Sequence, residues 1–308
     1  MADMRFEGKT AIVTGAGGNP SLGRAHAMLL AARGARVVVN DIGADPESKG
    51  YKGRASADAV VAEIRAAGGT AVSDTNSVAT EDGAAALIET AIDAFGSVDI
   101  LVNNAGICES AAFDELSSRD FVRHIEINLM GPVWTCRAAW PHMKAKGYGR
   151  IVNIGSGAMI GLGGLAAYAT SKGGLFALTR SLSVEGAPFG IKANTVHPAA
   201  HTRMLEAQQE EDSILLVSAR ESQPAELVSP VVAFLAHEDC PVTGECLSAV
   251  GGFINRLLLA ETKGVVFPQL TLEDVRDHWT DFTNEAGAAP VTAGFIDTSQ
   301  WRPKPYSG

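Results

Sequence analysis

Tyr168 and Lys172 lie four residues apart in AAYATSKGGLFALTRSL. On a helix that spacing puts both side chains on one face, about one turn apart. An ammonium beside a phenol favours the phenolate and draws its pKa down from an ordinary value of about 10, as proton exchange with an alcohol or ketone requires. The same pair also arises where a half-buried tyrosine packs and a lysine reaches solvent. A second feature stands near the N-terminus, in Thr14-Gly15-Ala16-Gly17-Gly18-Asn19-Pro20-Ser21-Leu22-Gly23-Arg24. Glycines permit a tight turn and close approach of the backbone to a pyrophosphate, whose charge is met by the N–H groups that open a following helix. A strand-to-helix turn without a ligand can carry the same glycines. Eighteen residues after Gly23, Asp41 ends VVVND, where a carboxylate can take adenosine ribose hydroxyls and repel a 2′-phosphate. That favours NAD over NADP, and the plainer role for such an aspartate is a turn cap.

Bringing these groups together takes an alternating scaffold. TAIVTG, VVVND, TAVSD and DILVNNAG are short apolar runs suited to strands, with helices expected between them over residues 22–33, 57–67 and 82–95. The second half continues with a helix over 121–144, the strand RIVNIG, a helix over 168–183, the strand IKANTVHP and a strand near 245–250. The expected class is α/β, a single Rossmann-type doubly wound parallel sheet of about seven strands with helices on both faces. Right-handed crossovers then gather the carboxyl ends of the strands on one edge, where such sheets bind ligands. Residues 43–54, GADPESKGYKGR, read as a surface loop. The expected division is a domain over 1–252 and a C-terminal extension over 253–308. The extension has one expected helix in LTLEDVRDHWTDFTN, is too short for a core of its own, and is expected to pack on the domain or a neighbouring subunit.

Composition bounds the partners. With 308 residues, 46% hydrophobic and 19% charged, the chain can bury one sizeable core. A formal net charge of −10 without a basic cluster argues against a nucleic-acid partner. Cys108, Cys136, Cys240 and Cys246 lack paired spacing, and the seven histidines form neither HxH nor HExxH, so no metal site is expected. The sequence opens on a strand without a leader pattern and has no apolar run of membrane-span length, which gives the expectation of a cytoplasmic protein that does not enter the membrane.

The motifs and their order resemble the short-chain dehydrogenase/reductase family. The matching residues are TGAGG…LGR at 14–24, VVVND, Asn103-Asn104-Ala105-Gly106, Asn128 in EINLMG, Ser156 in IVNIGSG, Tyr168 through Lys172, and Val196-His197-Pro198 leading to Thr202, spread over about 250 residues. The resemblance implies an oxidoreductase that exchanges a secondary alcohol for a ketone on a small-molecule substrate. It implies that Asn128 holds a relay water, Ser156 polarises the substrate carbonyl, Tyr168 exchanges the proton and Lys172 binds the nicotinamide ribose. Asn104 and Gly106 would line the adenosine ribose side and Thr202 would reach the carboxamide. Gly15, Gly17, Ser21, Leu22, Gly23, Asp41, Asn76, Ser77, Ala105 and Pro198 complete the implied NAD-binding set. It also implies a homodimer or homotetramer, built through the helices that carry Trp134 and Tyr168.

Within the family, VVVNDIG, the Gly-rich insert, AAWPHMKAKGYGRIV and ELVSPVVAFLAHEDC are similar to the (3R)-hydroxyacyl-CoA dehydrogenase domains of type 2 peroxisomal multifunctional enzymes. The implied substrate is a 3-hydroxyacyl-CoA thioester, with a hydroxysteroid or other bulky alicyclic alcohol as the rival and a non-catalytic dinucleotide-binding scaffold as the alternative of another kind. Four departures from the family pattern bear on the site. Asn19-Pro20-Ser21 lengthens the glycine turn and removes an N–H at Pro20, which moves the expected pyrophosphate contact to Leu22 and Gly23. Ser156 stands 12 residues before Tyr168, with Gly155 where a serine is common, as if the loop were one residue shorter. Asn76 replaces an aspartate beside the adenine. His197 and Ala199 alter the nicotinamide side, where His197 and His201 are expected to be local polar packing with substrate contact as the alternative. Met130, Trp134 and Trp140 are expected to serve core or subunit packing.

Overall fold

The computed structural model describes residues 3–43 and 56–294. The chain forms two compact units, Met1–Arg256 and Leu257–Gly308. In the first, β1 (Thr10–Thr14), α1 (Leu22–Ala32), β2 (Arg36–Asn40), α2 (Ala57–Ala66), β3 (Thr70–Asp74), α3 (Glu81–Phe95) and β4 (Ile100–Asn103) alternate as the apolar runs require. Then come α4 (Ser118–Ile125), a π-turn at Glu126–Met130, α5 (Gly131–Lys146), β5 (Gly149–Ile154), α6 (Ala166–Gly186) and β6 (Ile191–Ala199). The unit closes with α7 (Arg203–Gln208), α8 (Ile214–Ser222), α9 (Ser229–Ala236), β7 (Cys246–Val250) and β8 (Phe253–Leu257).

The sheet order is β3-β2-β1-β4-β5-β6-β7-β8, and every pairing from β3 to β7 is parallel. Order reverses between β1 and β4, so the loops after Thr14 and Asn103 splay apart and leave a crevice at the carboxyl edge. Apolar side chains from alternate strand positions fill both faces. Val13, Val37, Val39 and Val102 pack under α1, α2 and α9, while Ile12, Val38, Leu101 and Ile151 pack under α3 and α5. The sheet has one strand more than the seven expected. Gly251 and Gly252 both hold positive φ (52° and 87°), the backbone that a two-residue hairpin needs, and the chain turns straight back into β8.

Helix starts follow the side-chain chemistry. Ser21, Ser56, Thr80 and Ser117 cap α1, α2, α3 and α4 by accepting the backbone N–H three residues on. The continuous helix expected over 121–144 is interrupted. At Glu126–Met130 the backbone widens to a π-turn that carries the fully buried Asn128. Of the insert read as a loop over 43–54, only Gly43 lies within the described residues.

In the second unit, β9 (Ala260–Glu261) pairs antiparallel with β10 (Ala289–Pro290). The single helix expected over 270–284 is two, α10 (Leu272–Asp277) and α11 (Trp279–Phe282), divided at His278, whose Nδ1 pairs with Asp281. A capping box between Thr271 and Asp274 opens α10. None of the described residues of this unit is buried. Among the described residues, no helix is long and apolar enough to cross a membrane, no metal-ligating cluster occurs, and all four cysteines are free and buried.

Candidate active site

A cleft of about 660 Å³ opens along the carboxyl edge of the sheet. Its floor begins at β1. Thr14 Oγ1 accepts the N–H groups of both Asn104 and Ala105, and Asn104 Nδ2 donates to the carbonyls of Thr14 and Gly15. These bonds clamp the loop after β4 onto the glycine turn. Glycine is obligatory in that clamp. Gly15 sits at φ 63°, and a Cβ there would fall 2.7 Å from Ala105 Cα. A Cβ on Gly23 would fall 2.5 Å from the Gly15 carbonyl and 2.6 Å from Asn104 Nδ2.

At one end of the cleft, Asp41 accepts Gly17 N–H on Oδ2 and Gly43 N–H on Oδ1, both near 2.9 Å (2.8 and 2.9 Å). It is thus the turn cap that its plainer reading offered, and it also lines the cleft with acceptor capacity to spare. Ser21, Leu22, Ser77, Asn104, Ala105, Gly106, Pro198 and Thr202 line the same cleft. Gly17 and Gly23 lie behind its lining and shape the turn from beneath. Asn76 also lies behind it, turned away from the side where it was expected. The reason is Asp74, buried at the end of β3, which accepts the Asn76 backbone N–H (3.0 Å) and side-chain amide (2.7 Å) together with Asn40 and Thr90. Ser77 and Val78 stand in the cleft instead.

At the other end, α6 presents Tyr168 and Lys172 together, both buried, with Lys172 Nζ 5.7 Å from the Tyr168 ring centre. Lys172 Nζ donates to the carbonyl of Ile154, the last residue of β5, at 2.7 Å. Burial pulls the Lys172 pKa down to about 8, which leaves it mostly cationic at neutral pH. Ser156 follows β5, lines the cleft and caps the short 3₁₀ turn Gly157–Ile160 by accepting Ala158 N–H at 3.1 Å. Ser156 and Tyr168 line the same cleft, and Gly155 packs on Thr195 of β6, where a Cβ would stand 2.8 Å from Cγ2.

Asn128 does not line the cleft. Its Oδ1 accepts Ile107 N–H at 2.8 Å, and its Nδ2 donates to the Ile107 carbonyl and to Ser171 Oγ. Gly106 makes room for this contact, because a Cβ there would lie 2.9 Å from Asn128 Oδ1 and 3.7 Å from Lys172 Nζ. The π-turn thus ties the β4 loop to α6. Beneath Tyr168, at 6.5 Å and edge-on, lies the buried His124, with both nitrogens engaged by Asp120 and Glu109 backbone.

The remaining wall was not legible beforehand. Cys108, Leu165 and Met204 pack about Tyr168, and Leu162, Leu205, Gln208 and Leu215 extend the lining outward. Burial pushes the Cys108 thiol up to about 11, so it acts as a small neutral surface. Its outer part comes from two short helices, α7 and α8. Arg203 also lines the cleft, and its position directly after Thr202 was the available signal. His197 pairs instead with Ser248, and His201 Nε2 lies 2.9 Å from Glu206 Oε1; neither lines the cleft. Trp140 packs against the α3–α5 side of the core.

Glycines whose Cβ positions are already filled, an acidic residue at one end, and a tyrosine–lysine–serine group at the other make a slot fit for an extended dinucleotide with a second compound beside Tyr168. The comparisons agree with that geometry. The description of the short chain dehydrogenase family matches residues 9–213. Peroxisomal multifunctional enzyme type 2 of Mus musculus is 40% identical over 305 residues, covering 96% of this chain and 40% of its own length. A subunit of a hydroxy(phenyl)methylsuccinyl-CoA dehydrogenase from Thauera aromatica is 36% identical over 255 residues, covering 81% of this chain and 98% of its own. Among solved structures, full-length peroxisomal multifunctional enzyme type 2 from Drosophila melanogaster superposes with a TM-score of 0.77 at 34% identity, over 94% of this chain and 48% of that one. The chain therefore spans less than half the length of these multifunctional relatives.

Proposed function

Because the chain belongs to the short-chain dehydrogenase family, we propose that it interconverts a secondary alcohol and a ketone with NAD, and that its preferred substrate is a 3-hydroxyacyl-CoA thioester. The observation that carries this reading is the joining of Asp41 and the Tyr168–Lys172–Ser156 group by one continuous cleft. NAD would supply the hydride acceptor, held by the Gly15–Leu22 turn, Asn104 to Gly106, Pro198 and Thr202. Asp41 favours it over NADP, since a 2′-phosphate would face a carboxylate already fixed by two N–H groups.

The protein groups handle the proton. Tyr168 takes the hydroxyl proton as the alcohol is oxidised, and Lys172, cationic and anchored on the Ile154 carbonyl, stabilises the phenolate. Ser156 steadies the substrate oxygen with its hydroxyl. Asn128 is a positioning residue in this scheme, because its amide is committed to Ile107 and Ser171 and so fixes the loop and helix on either side of the reacting groups. The thioester preference rests on the Thauera aromatica relative, whose name specifies a hydroxylated CoA thioester.

A hydroxysteroid or other alicyclic alcohol is the second reading, favoured by the apolar wall of Leu162, Leu165, Met204, Leu205 and Leu215. Purified protein should be assayed with NAD and with NADP against both substrate classes. Turnover of (3R)-hydroxyacyl-CoA with NAD is expected. Turnover of steroid alone would replace the substrate assignment, a preference for NADP would remove the role of Asp41, and no turnover with dinucleotide binding intact would favour a scaffold. The homodimer or homotetramer expected from the resemblance belongs to the same reading and is checked by light scattering after gel filtration.

A further inference from the structure

The glycine turn offers an anion the N–H groups that open α1 but no charge of its own. Gly17 N–H is given to Asp41, Pro20 has no N–H, and the Ser21 hydroxyl is occupied by the Gly18 carbonyl and Arg24 N–H. Arg24 does not line the cleft. Two cationic side chains line the cleft among the described residues, Lys172 and Arg203, and Lys172 stands beside Tyr168. Arg203 lies over the turn. Its backbone N–H donates to the Pro20 carbonyl at 3.1 Å, and its Nη1 and Cδ come within 3.3 and 3.5 Å of the position that a Cβ on Gly18 would occupy. A dinucleotide brings two phosphate charges to such a turn, and a guanidinium offers a fork of donors matched to phosphate oxygens.

We propose that Arg203 is the pyrophosphate clamp of this protein, supplying the charge that the lengthened turn lacks. The inference rests on the reading of the cleft as a dinucleotide site. Arg203 is the first residue of α7, and Met204, Leu205 and Gln208 of the same helix form the substrate wall. Drawing the guanidinium onto the pyrophosphate therefore also fixes the helix that the substrate must pack against.

The test is a binding titration of NADH, ADP-ribose and adenosine to the full chain and to its Arg203→Met and Arg203→Lys variants. Arg203→Met should weaken NADH and ADP-ribose by about ten- to a hundredfold and leave adenosine unchanged, with Arg203→Lys recovering part of the loss. In steady state the KM for NAD should rise more than kcat falls. Unchanged NADH affinity in Arg203→Met would overturn the clamp and leave the proposed function standing. An equal loss for adenosine would overturn it too, since that signals a collapsed turn, and a loss confined to the KM for acyl-CoA would reassign Arg203 to the thioester's phosphates. A wild-type chain that binds neither NADH nor ADP-ribose would sink the dinucleotide reading itself, and the clamp with it.

Discussion

The floor of the cleft and its outer wall are built by opposite means. The floor is a set of buried polar side chains whose bonds join neighbouring strands and tie them to α5 and α6. Asn103 Nδ2 donates to Asn153 Oδ1 (2.8 Å), Thr135 donates to Asn103 Oδ1 (2.7 Å), and Asn153 Nδ2 donates to Thr179 (2.8 Å). Each is buried, so each bond is expensive to leave unmade and the geometry above it is held tightly. The wall stands on two short helices with Leu215 at 66% exposure, held by side-chain links such as Gln208 to the Cys108 carbonyl and Arg220 to Glu206 and Glu211. Chemistry is seated on the part that cannot shift, and substrate choice on the part that can change without unfolding the rest.

Substitutions on each side separate the two. The largest effect is expected at Tyr168→Phe, which keeps the ring on His124 and removes the transferable proton. Turnover should fall by about 10² to 10⁴ while NADH still binds. Unchanged turnover would refute the mechanism. Gly23→Ala presses a methyl on the Gly15 carbonyl and Asn104, so NADH affinity should fall by about ten- to a hundredfold and the melting temperature should drop. If Gly23→Ala is silent in both measurements, the floor is softer than its bonds suggest.

A third prediction concerns acid. His26, buried in α1 behind the turn and bonded to Ser229 through Nδ1, is held by burial at a pKa of about 3, against 6.5 when exposed. Below pH 6.5 the unfolded chain takes up a proton that the folded chain refuses, so stability is lost as pH falls towards 3. The slope should approach about 1.4 kcal/mol per pH unit. His26→Gln removes the titration; urea midpoints at pH 7 and pH 5 should lie closer together for the variant than for the wild type, with burial of His197 keeping part of the difference. The smallest effect is expected at Leu215→Ala. It should change stability by under about 0.5 kcal/mol and shift the ratio of kcat/KM between larger and smaller alcohols by up to about tenfold. A large loss of stability there would erase the distinction between wall and floor.

The same contrast governs what could be read from the chain. Tyr168, Lys172 and Ser156 were legible because strand ends and one helix face fix them, and β-branched runs announce strands wherever both faces are buried. Strand β8 escaped because FINRL is exposed or half-exposed throughout and offers no alternation; its one signal was the Gly251-Gly252 pair. The π-turn was invisible because EINLMG is compatible with uninterrupted helical periodicity. Asn76 lies behind the cleft because it follows Asp74, the end of β3, by two residues, and only the bonds to Asn40 and Thr90 decide which one anchors and which one follows. The wall was hidden for another reason. Six- and nine-residue helices carry too few periodic positions to stand out from a polar loop.

The π-turn leaves the helix one residue to spare at one place. One residue more than an α-helical turn holds is stored between Glu126 and Met130, so a single deletion there would let the helix close as α throughout and leave α5 seated on the sheet. The π-turn advances the chain about as far round the axis as one residue fewer of α-helix does, so the segments on either side would keep their phase and His124 its place against Tyr168. The cost would fall on Asn128, whose amide clasps Ile107 and Ser171 from the widened turn. Most helices lose alignment with a deleted residue, whereas this one would lose a clasp.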